Sequence, residues 1–156
     1  MATTITAANW GIAHPGSGYW SNEYKEANSQ TFTANQLVYL NAGAVTVVAS
    51  TGQLFTGLAG AAATNVVSGN IVIPVFHFAA DTIVYLPIIN NATPCAATIA
   101  YIGDIYGIIL TAGVHYCDIS NTTQDAVRVI GKHPNYEWGD TNLPVKCHFN
   151  PSLLTG

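Results

Sequence analysis

The strongest candidate for a catalytic pair is His115 with Cys117, in the run Val114-His115-Tyr116-Cys117. The two residues are two apart in a segment typical of a β-strand, so their side chains point to the same face. A cysteine beside a histidine could serve as a nucleophile with its base. Asp118 follows directly but points to the opposite face, where it cannot complete a triad. The pattern therefore favours a small core cysteine and a hydrogen-bonded histidine.

A second candidate is a zinc site made of Cys147, His148 and His133. Structural zinc sites usually carry two pairs of ligands, each pair two to four residues apart. Here there is a single adjacent pair, and adjacent residues on a strand diverge. The cysteines, Cys95, Cys117 and Cys147, are odd in number and lack C-x-x-C spacing. We expect three unpaired thiols, no metal and no cofactor.

Gly16-Ser17-Gly18 superficially suggests a nucleophilic serine. A nucleophile elbow needs a strand before the serine and a helix after it. This serine follows Pro15 in a segment that reads as a loop. The aspartates fall mostly at strand ends and turns, where this residue type is common, and their spacing favours no acid–base pair. The sequence therefore predicts a protein that is not an enzyme.

Charged residues make up only 8% of the chain, against about 25% in typical soluble domains, while apolar residues make up 49%. Surfaces that are depleted of charge and enriched in aromatic residues resemble the centres of protein interfaces. The composition therefore predicts a protein whose surface is covered by partners, and it favours a homo-oligomer over a monomer with a neutral polar surface.

The net charge of −4 with only four basic residues argues against nucleic acid as a ligand, because phosphate binding needs a basic surface. A polybasic patch for membrane binding is absent for the same reason. The longest apolar stretch, residues 71–80, is interrupted by Pro74 and His77 and is too short to span a bilayer. The first residues do not resemble a secretory signal, so we expect synthesis in a cytoplasm.

Residues 30–131 consist of short runs of β-branched and aromatic residues separated by turns, which predicts an all-β fold, a compact β-barrel or β-sandwich. Turns are expected at residues 41–43, 51–52, 90–91 and 113. The predicted strands cover residues 31–33, 37–40, 45–48, 54–59, 71–78, 82–86, 98–102, 106–110, 114–117 and 126–130.

The flanking segments follow neither the helical nor the strand period for long. Residues 1–29 are predicted to form an extended N-terminal arm, and residues 132–156, with three prolines, an irregular tail that wraps around the body. Tryptophans in an irregular arm need a surface on which to be buried. That surface is either the domain's own body or a neighbouring subunit, and our hypothesis is that the arm crosses to an adjacent subunit or another partner. The candidate interface residues are Trp10, Tyr19, Trp20 and Trp138.

Two parts of the body resemble a known family. The first part, residues 30–40, ends with Val38-Tyr39-Leu40 and is followed by Gly43-Ala44-Val45 and Gly57-Leu58-Ala59. The second part contains Tyr106-Gly107-Ile108 and Val127-Arg128-Val129. This order of residue classes is similar to that of the capsid decoration (cement) proteins of tailed bacteriophages, over about residues 30–131.

The resemblance implies a virion structural protein on the capsid exterior. Such a protein trimerises and bridges neighbouring major capsid subunits without catalysis. Two alternatives remain open. The exposed aromatics could stack on sugars in a carbohydrate-binding β module of a phage tail or receptor-binding protein. A small hydrolase could use His115 and Cys117.

Overall fold

The structure is a computed structural model that describes residues 1–18, 20–49, 54–65 and 71–154. These residues form β-strands and two single-turn 3-10 helices, which confirms the predicted all-β class. The strands are β1 (Gly11–His14), β2 (Trp20–Lys25), β3 (Leu37–Asn41), β4 (Ala44–Val47), β5 (Gly57–Ala59), β6 (Val72–His77), β7 (Ile83–Asn90), β8 (Thr93–Pro94), β9 (Ile105–Thr111), β10 (Val114–Asp118), β11 (Val127–Lys132) and β12 (Pro144–Phe149); the 3-10 helices are Ile99–Tyr101 and Pro151–Leu153.

Two tight hairpins confirm the turns expected near residues 42 and 113. Ala42 and Gly43 connect β3 to β4 with φ angles of 50° and 82°, and Ala112 and Gly113 connect β9 to β10 with 49° and 78°. Two consecutive residues with positive φ suit the right-handed twist of the paired strands. The turn expected at residues 51–52 lies outside the described residues.

The larger sheet has the strand order β1-β7-β10-β9-β11-β12, and β8 adds to β7. Its strand β7 pairs with β12 over residues 83–87 and with β10 at residues 88–89. Similarly, β9 pairs with β11 at its start and with β10 over the rest of its length. The backbone pairing therefore runs from β7 through β10, β9, β11 and β12 and returns to β7.

The smaller sheet has the order β2-β6-β5-β3-β4, with β2 at one edge. Directly after β2, Glu26 forms a parallel bridge with Val45 of β4, and the Ala27 amide donates to the Val45 carbonyl at 2.9 Å. The chain that leaves β2 thus approaches the opposite edge of the same sheet.

The two sheets pack together as in a β-sandwich, around a core that both supply. Phe149 of β12 lies with its ring centroid 5.1 Å from that of Phe55 and 4.9 Å from that of Phe78, and Leu37 and Leu58 of the smaller sheet belong to the same buried cluster. Burying each such side chain contributes about 1.5–3 kcal/mol. A second buried cluster lies on the other face of the smaller sheet: Phe32, Val38, Val45, Ala59, Ile73 and Val75.

The segment predicted as an extended arm lies instead along its own body and supplies a strand to each sheet. β1 pairs with β7, and β2 pairs with β6 over six residues. Upstream of β1, the Thr3 amide donates to Asp140 Oδ1 at 2.7 Å, and Ile5 is buried with its amide 3.0 Å from the Thr141 carbonyl oxygen. The strand period was hidden because β2 is an exposed edge strand, where apolar alternation is not required.

The prediction of an irregular tail is wrong for residues 144–149. β12 lies between β7 and β11 and pairs with both. Val145, Cys147 and Phe149 are buried, while Lys146 and His148 alternate with them and are only partly covered. Pro144 opens the strand, a position at which proline is tolerated because it need not donate to the ladder.

The strand predicted at residues 98–102 is also wrong, since Ile99–Tyr101 form a 3-10 turn. The Ile102 amide donates to the Ile99 carbonyl at 3.1 Å. A 3-10 helix has three residues per turn, so Ile99 and Ile102 fall on the same side. Tyr101 packs against the core instead.

Candidate interaction surfaces

His115 and Cys117 each have a structural partner in the core. The Leu37 amide donates to His115 Nδ1 at 3.2 Å, so the ring proton is on Nε2, which donates to the Val48 carbonyl at 2.6 Å. Burial lowers the pKa of His115 to about 4. A hydrogen bond with the Cys147 thiol, together with burial, raises the pKa of Cys117 well above its usual value. A buried thiol with a raised pKa is a poor nucleophile.

The residues of the candidate zinc site do not converge. Cys147 is buried in the core, whereas His148 Nε2 lies 2.6 Å from the Ala80 carbonyl oxygen and His133 lies against Trp10 and Tyr85. In the described part of the chain, no group of three or more histidine, cysteine or acidic side chains could hold a metal ion. All three cysteines are free thiols, as predicted.

Ser17 lies in the loop between β1 and β2, with no helix after it. Its amide donates to both carboxylate oxygens of Asp81 at 2.9 Å, and this contact lowers the pKa of Asp81. Asp140 accepts bonds from the amides of Glu137 and Thr3, which lower its pKa in the same way. These carboxylates hold loops in place, a role for Asp140 that the sequence did not indicate.

The predicted interface residues do not form one surface. Trp10 is half-buried against His133 and Tyr136, with ring centroids 5.4 and 5.8 Å away, and Trp138 is half-buried against the larger core. Trp20 lies on the smaller sheet and is exposed. Tyr19 lies outside the described residues.

Trp20 stacks on a buried histidine of the neighbouring strand. Its ring centroid is 3.6 Å from that of His77, and the ring planes differ by 15°. The Tyr24 hydroxyl lies 2.9 Å from His77 Nε2. Burial lowers the pKa of His77. Sequence reasoning identified Trp20 but not its partner.

Three exposed isoleucines lie on β11 or in the 3-10 turn that is bonded to it. Ile99, Ile102 and Ile130, called here the isoleucine patch, expose 64%, 45% and 40% of their surfaces. The turn that carries Ile99 and Ile102 is joined to β11 by a 2.8 Å bond from the Gly103 amide to the Val129 carbonyl, next to Ile130. The Arg128 guanidinium also donates to the Gly103 carbonyl.

The isoleucine patch was not identified from the sequence because all three residues fall in predicted strands, residues 98–102 and 126–130. Apolar residues of a strand normally lie on the face that packs against the core, so their exposure was not expected. The signal in the sequence is the Ile102-Gly103-Asp104 segment, a break directly after an apolar run.

No protein-family model matches this chain, and no curated protein or solved structure is similar enough to be matched to it. In the described residues, no helix has the length and apolar character needed to cross a membrane.

Proposed function

We propose that this chain is a virion structural protein that decorates and stabilises a phage capsid from outside. It binds as a homotrimer and bridges neighbouring major capsid subunits without catalysing a reaction. The observation that carries the proposal is the isoleucine patch on a chain with only 8% charged residues.

The patch is suited to a permanent protein contact. Burying an exposed isoleucine contributes up to about 1.5–3 kcal/mol. The backbone that carries the patch is already fixed by its bonds to β11, so little ordering opposes binding. A contact that is mainly apolar is also insensitive to salt, because screening acts on charges.

Trimeric attachment would multiply a modest contact. When one copy of the patch is bound, the other two are held near their sites on the capsid, and their binding becomes effectively intramolecular. Dissociation then requires all three contacts to be broken at once. This is the property that a protein clamping capsid subunits needs.

The partners of His115 and Cys117 support the non-catalytic part of the proposal. His115 hydrogen-bonds Leu37 and Val48 and so joins the two sheets, and Cys117 hydrogen-bonds the Cys147 thiol in the core. Their arrangement favours a rigid β body over a reactive centre.

The test is co-sedimentation with empty capsids assembled from the major capsid protein of the same genome. We expect Ile102→Asp to abolish attachment while circular dichroism stays native. Val72→Asp is the matched control, because Val72 is a comparably exposed apolar residue of the smaller sheet, 51% exposed. Unchanged attachment of Ile102→Asp would refute the proposed surface. A mass near 16.4 kDa by light scattering over a broad concentration range would refute the trimer.

A further inference from the structure

Trp20 presents one face of its indole ring to solvent. It keeps 43% of its surface exposed although one side lies flat on His77. Trp10 and Trp138 are both half-buried on the larger sheet. Because the imidazole covers one face of the Trp20 ring, the exposed part includes the opposite face.

The ring beneath Trp20 is fixed by its surroundings. His77 is 1% exposed, and it lies directly opposite Trp20 on one side and Gly57 on the other. A Cβ atom on Gly57 would lie 1.8 Å from the Phe76 carbonyl oxygen, so β5 and β6 approach each other too closely there for a side chain. The Tyr24 hydroxyl holds the imidazole through Nε2. The stack therefore orients the indole before any ligand binds.

The strand that carries Trp20 places a neutral polar group beside it. Asn22 follows two residues later on the same face of β2, while Glu23 and Lys25 alternate to the other face. The Asn22 side chain accepts the Glu23 amide at 2.9 Å through Oδ1, which orients the amide group. A side-chain amide offers both a donor and an acceptor, the pair that a sugar hydroxyl can use.

Burial lowers the pKa of the stacked histidine, which favours its neutral ring. The open face of Trp20 therefore belongs to a pair of neutral rings. A preference for phosphate-bearing or acidic polymers would need basic groups on the same face, whereas Lys25, the one basic residue of β2, lies on the other face. A pyranose ring has an apolar C–H face and hydroxyls at its rim, which complements an indole plane with an amide beside it.

We propose that Trp20 is the platform of a carbohydrate-binding site, with one pyranose ring of a neutral glycan stacked on its open face and a ring hydroxyl bound by Asn22. The site is separate from the isoleucine patch, which lies on the other sheet. It does not depend on the proposed attachment to capsids.

The experiment is a titration of the full chain with neutral tetrasaccharides of glucose, mannose, galactose and N-acetylglucosamine, followed through the indole N–H signals in NMR spectra. We expect at least one sugar to shift the Trp20 signal and to leave those of Trp10 and Trp138 in place. By calorimetry with that sugar, Trp20→Ala should weaken binding at least tenfold and Asn22→Ala severalfold. Trp138→Phe, the matched control, should bind like the original chain.

The proposal is overturned if no sugar of the panel shifts the Trp20 signal at millimolar concentration, or if Trp20→Ala binds unchanged. Capsid co-sedimentation of Trp20→Ala separates this site from the proposed capsid function, and we expect its attachment to be normal. Loss of capsid attachment without sugar binding would assign Trp20 to a protein contact and overturn the carbohydrate proposal.

Discussion

The Leu37 backbone amide donates to Nδ1 of His115 across the gap between the two sheets, at 3.2 Å. This bond sets the tautomer of the ring and leaves Nε2–H to donate to the Val48 carbonyl at 2.6 Å. Leu37 is the first residue of β3, and Val48 directly follows β4, so the two lie together at the open end of the β3–β4 hairpin. One imidazole therefore bridges β10 of the larger sheet to both strands of this hairpin in the smaller sheet. A protonated ring could not accept the Leu37 bond.

The stability of the protein should therefore decrease as the pH falls from about 6.5 to about 4. The pKa of His115 is about 4 in the folded chain against 6.5 for an ordinary histidine, so between these values the unfolded chain binds a proton that the folded chain does not. The expected loss is up to about 3 kcal/mol. Urea unfolding between pH 7.5 and 4 measures it.

His115→Gln is the variant that isolates this effect, because a side-chain amide can donate and accept but does not titrate. It should be less stable at pH 7.5, by about 1–3 kcal/mol, and should show a shallower decline on acidification. The pH dependence of stability that remains in the variant belongs to His77, whose pKa is also lowered by burial. Asp81 and Asp140 have pKa values below the ordinary 3.8, so they reduce stability mainly at the acid end of the titration and below it. An equal slope in the variant would contradict the assignment.

Gly57→Ala should destabilise the protein by about 3 kcal/mol or more, because overpacking against backbone cannot be relieved by a rotamer change. The added Cβ would lie 1.8 Å from the Phe76 carbonyl oxygen. Gly131→Ala is the control, since its Cβ would meet only the Lys146 side chain, at 3.5 Å. Thermal unfolding of both variants measures the difference, and similar melting temperatures would show that β5 and β6 can separate at low cost.

Deletion of residues 2–9 should weaken the fold itself. It removes the buried Ile5, the bond from Thr3 to Asp140, and Asn9, whose Oδ1 accepts the His115 amide at 3.1 Å. Burial of Ile5 and these hydrogen bonds together contribute about 3 kcal/mol. Removal of Met1 and Ala2 alone, both exposed, serves as the control. Unchanged urea unfolding of the longer deletion would show that this segment is a detachable arm, as the sequence alone predicts.

The thiols should react in a fixed order. Cys95 is half-buried, while Cys117 and Cys147 are fully buried. Burial raises the pKa of Cys95, so we expect one slow modification by a thiol-specific reagent in the native protein and three in urea. Rapid modification of two or three thiols without denaturant would mean that the core opens readily.

The parts of the fold that the sequence predicted correctly are those that local chemistry determines. The hairpins at Ala42-Gly43 and Ala112-Gly113 follow from turn residues between β-branched runs. β6, β7, β9, β10 and β11 are strongly apolar and were recognised. β1 and β2 were missed because they lie in a polar segment without a sustained strand period and pair with strands much later in the chain. β12 was missed because it begins with proline and lies in a segment with three prolines.

The candidate site shows the same division. Trp20 could be selected from its residue type and irregular surroundings, but its stack with His77 depends on the register of β2 against β6, 57 residues later for this pair. The isoleucine patch depends on a 3-10 turn that replaced a predicted strand. Neither arrangement is encoded in local spacing.

The position of β12 also determines when the larger sheet can form during translation. Residues 144–149 are synthesised after all the other strands, yet they pair with both β7 and β11. While the ribosome is still extending the chain, the facing edges of β7 and β11 lack their partner and can attract other strands. The smaller sheet, complete by His77, is available earlier and can shield part of the apolar surface during that interval.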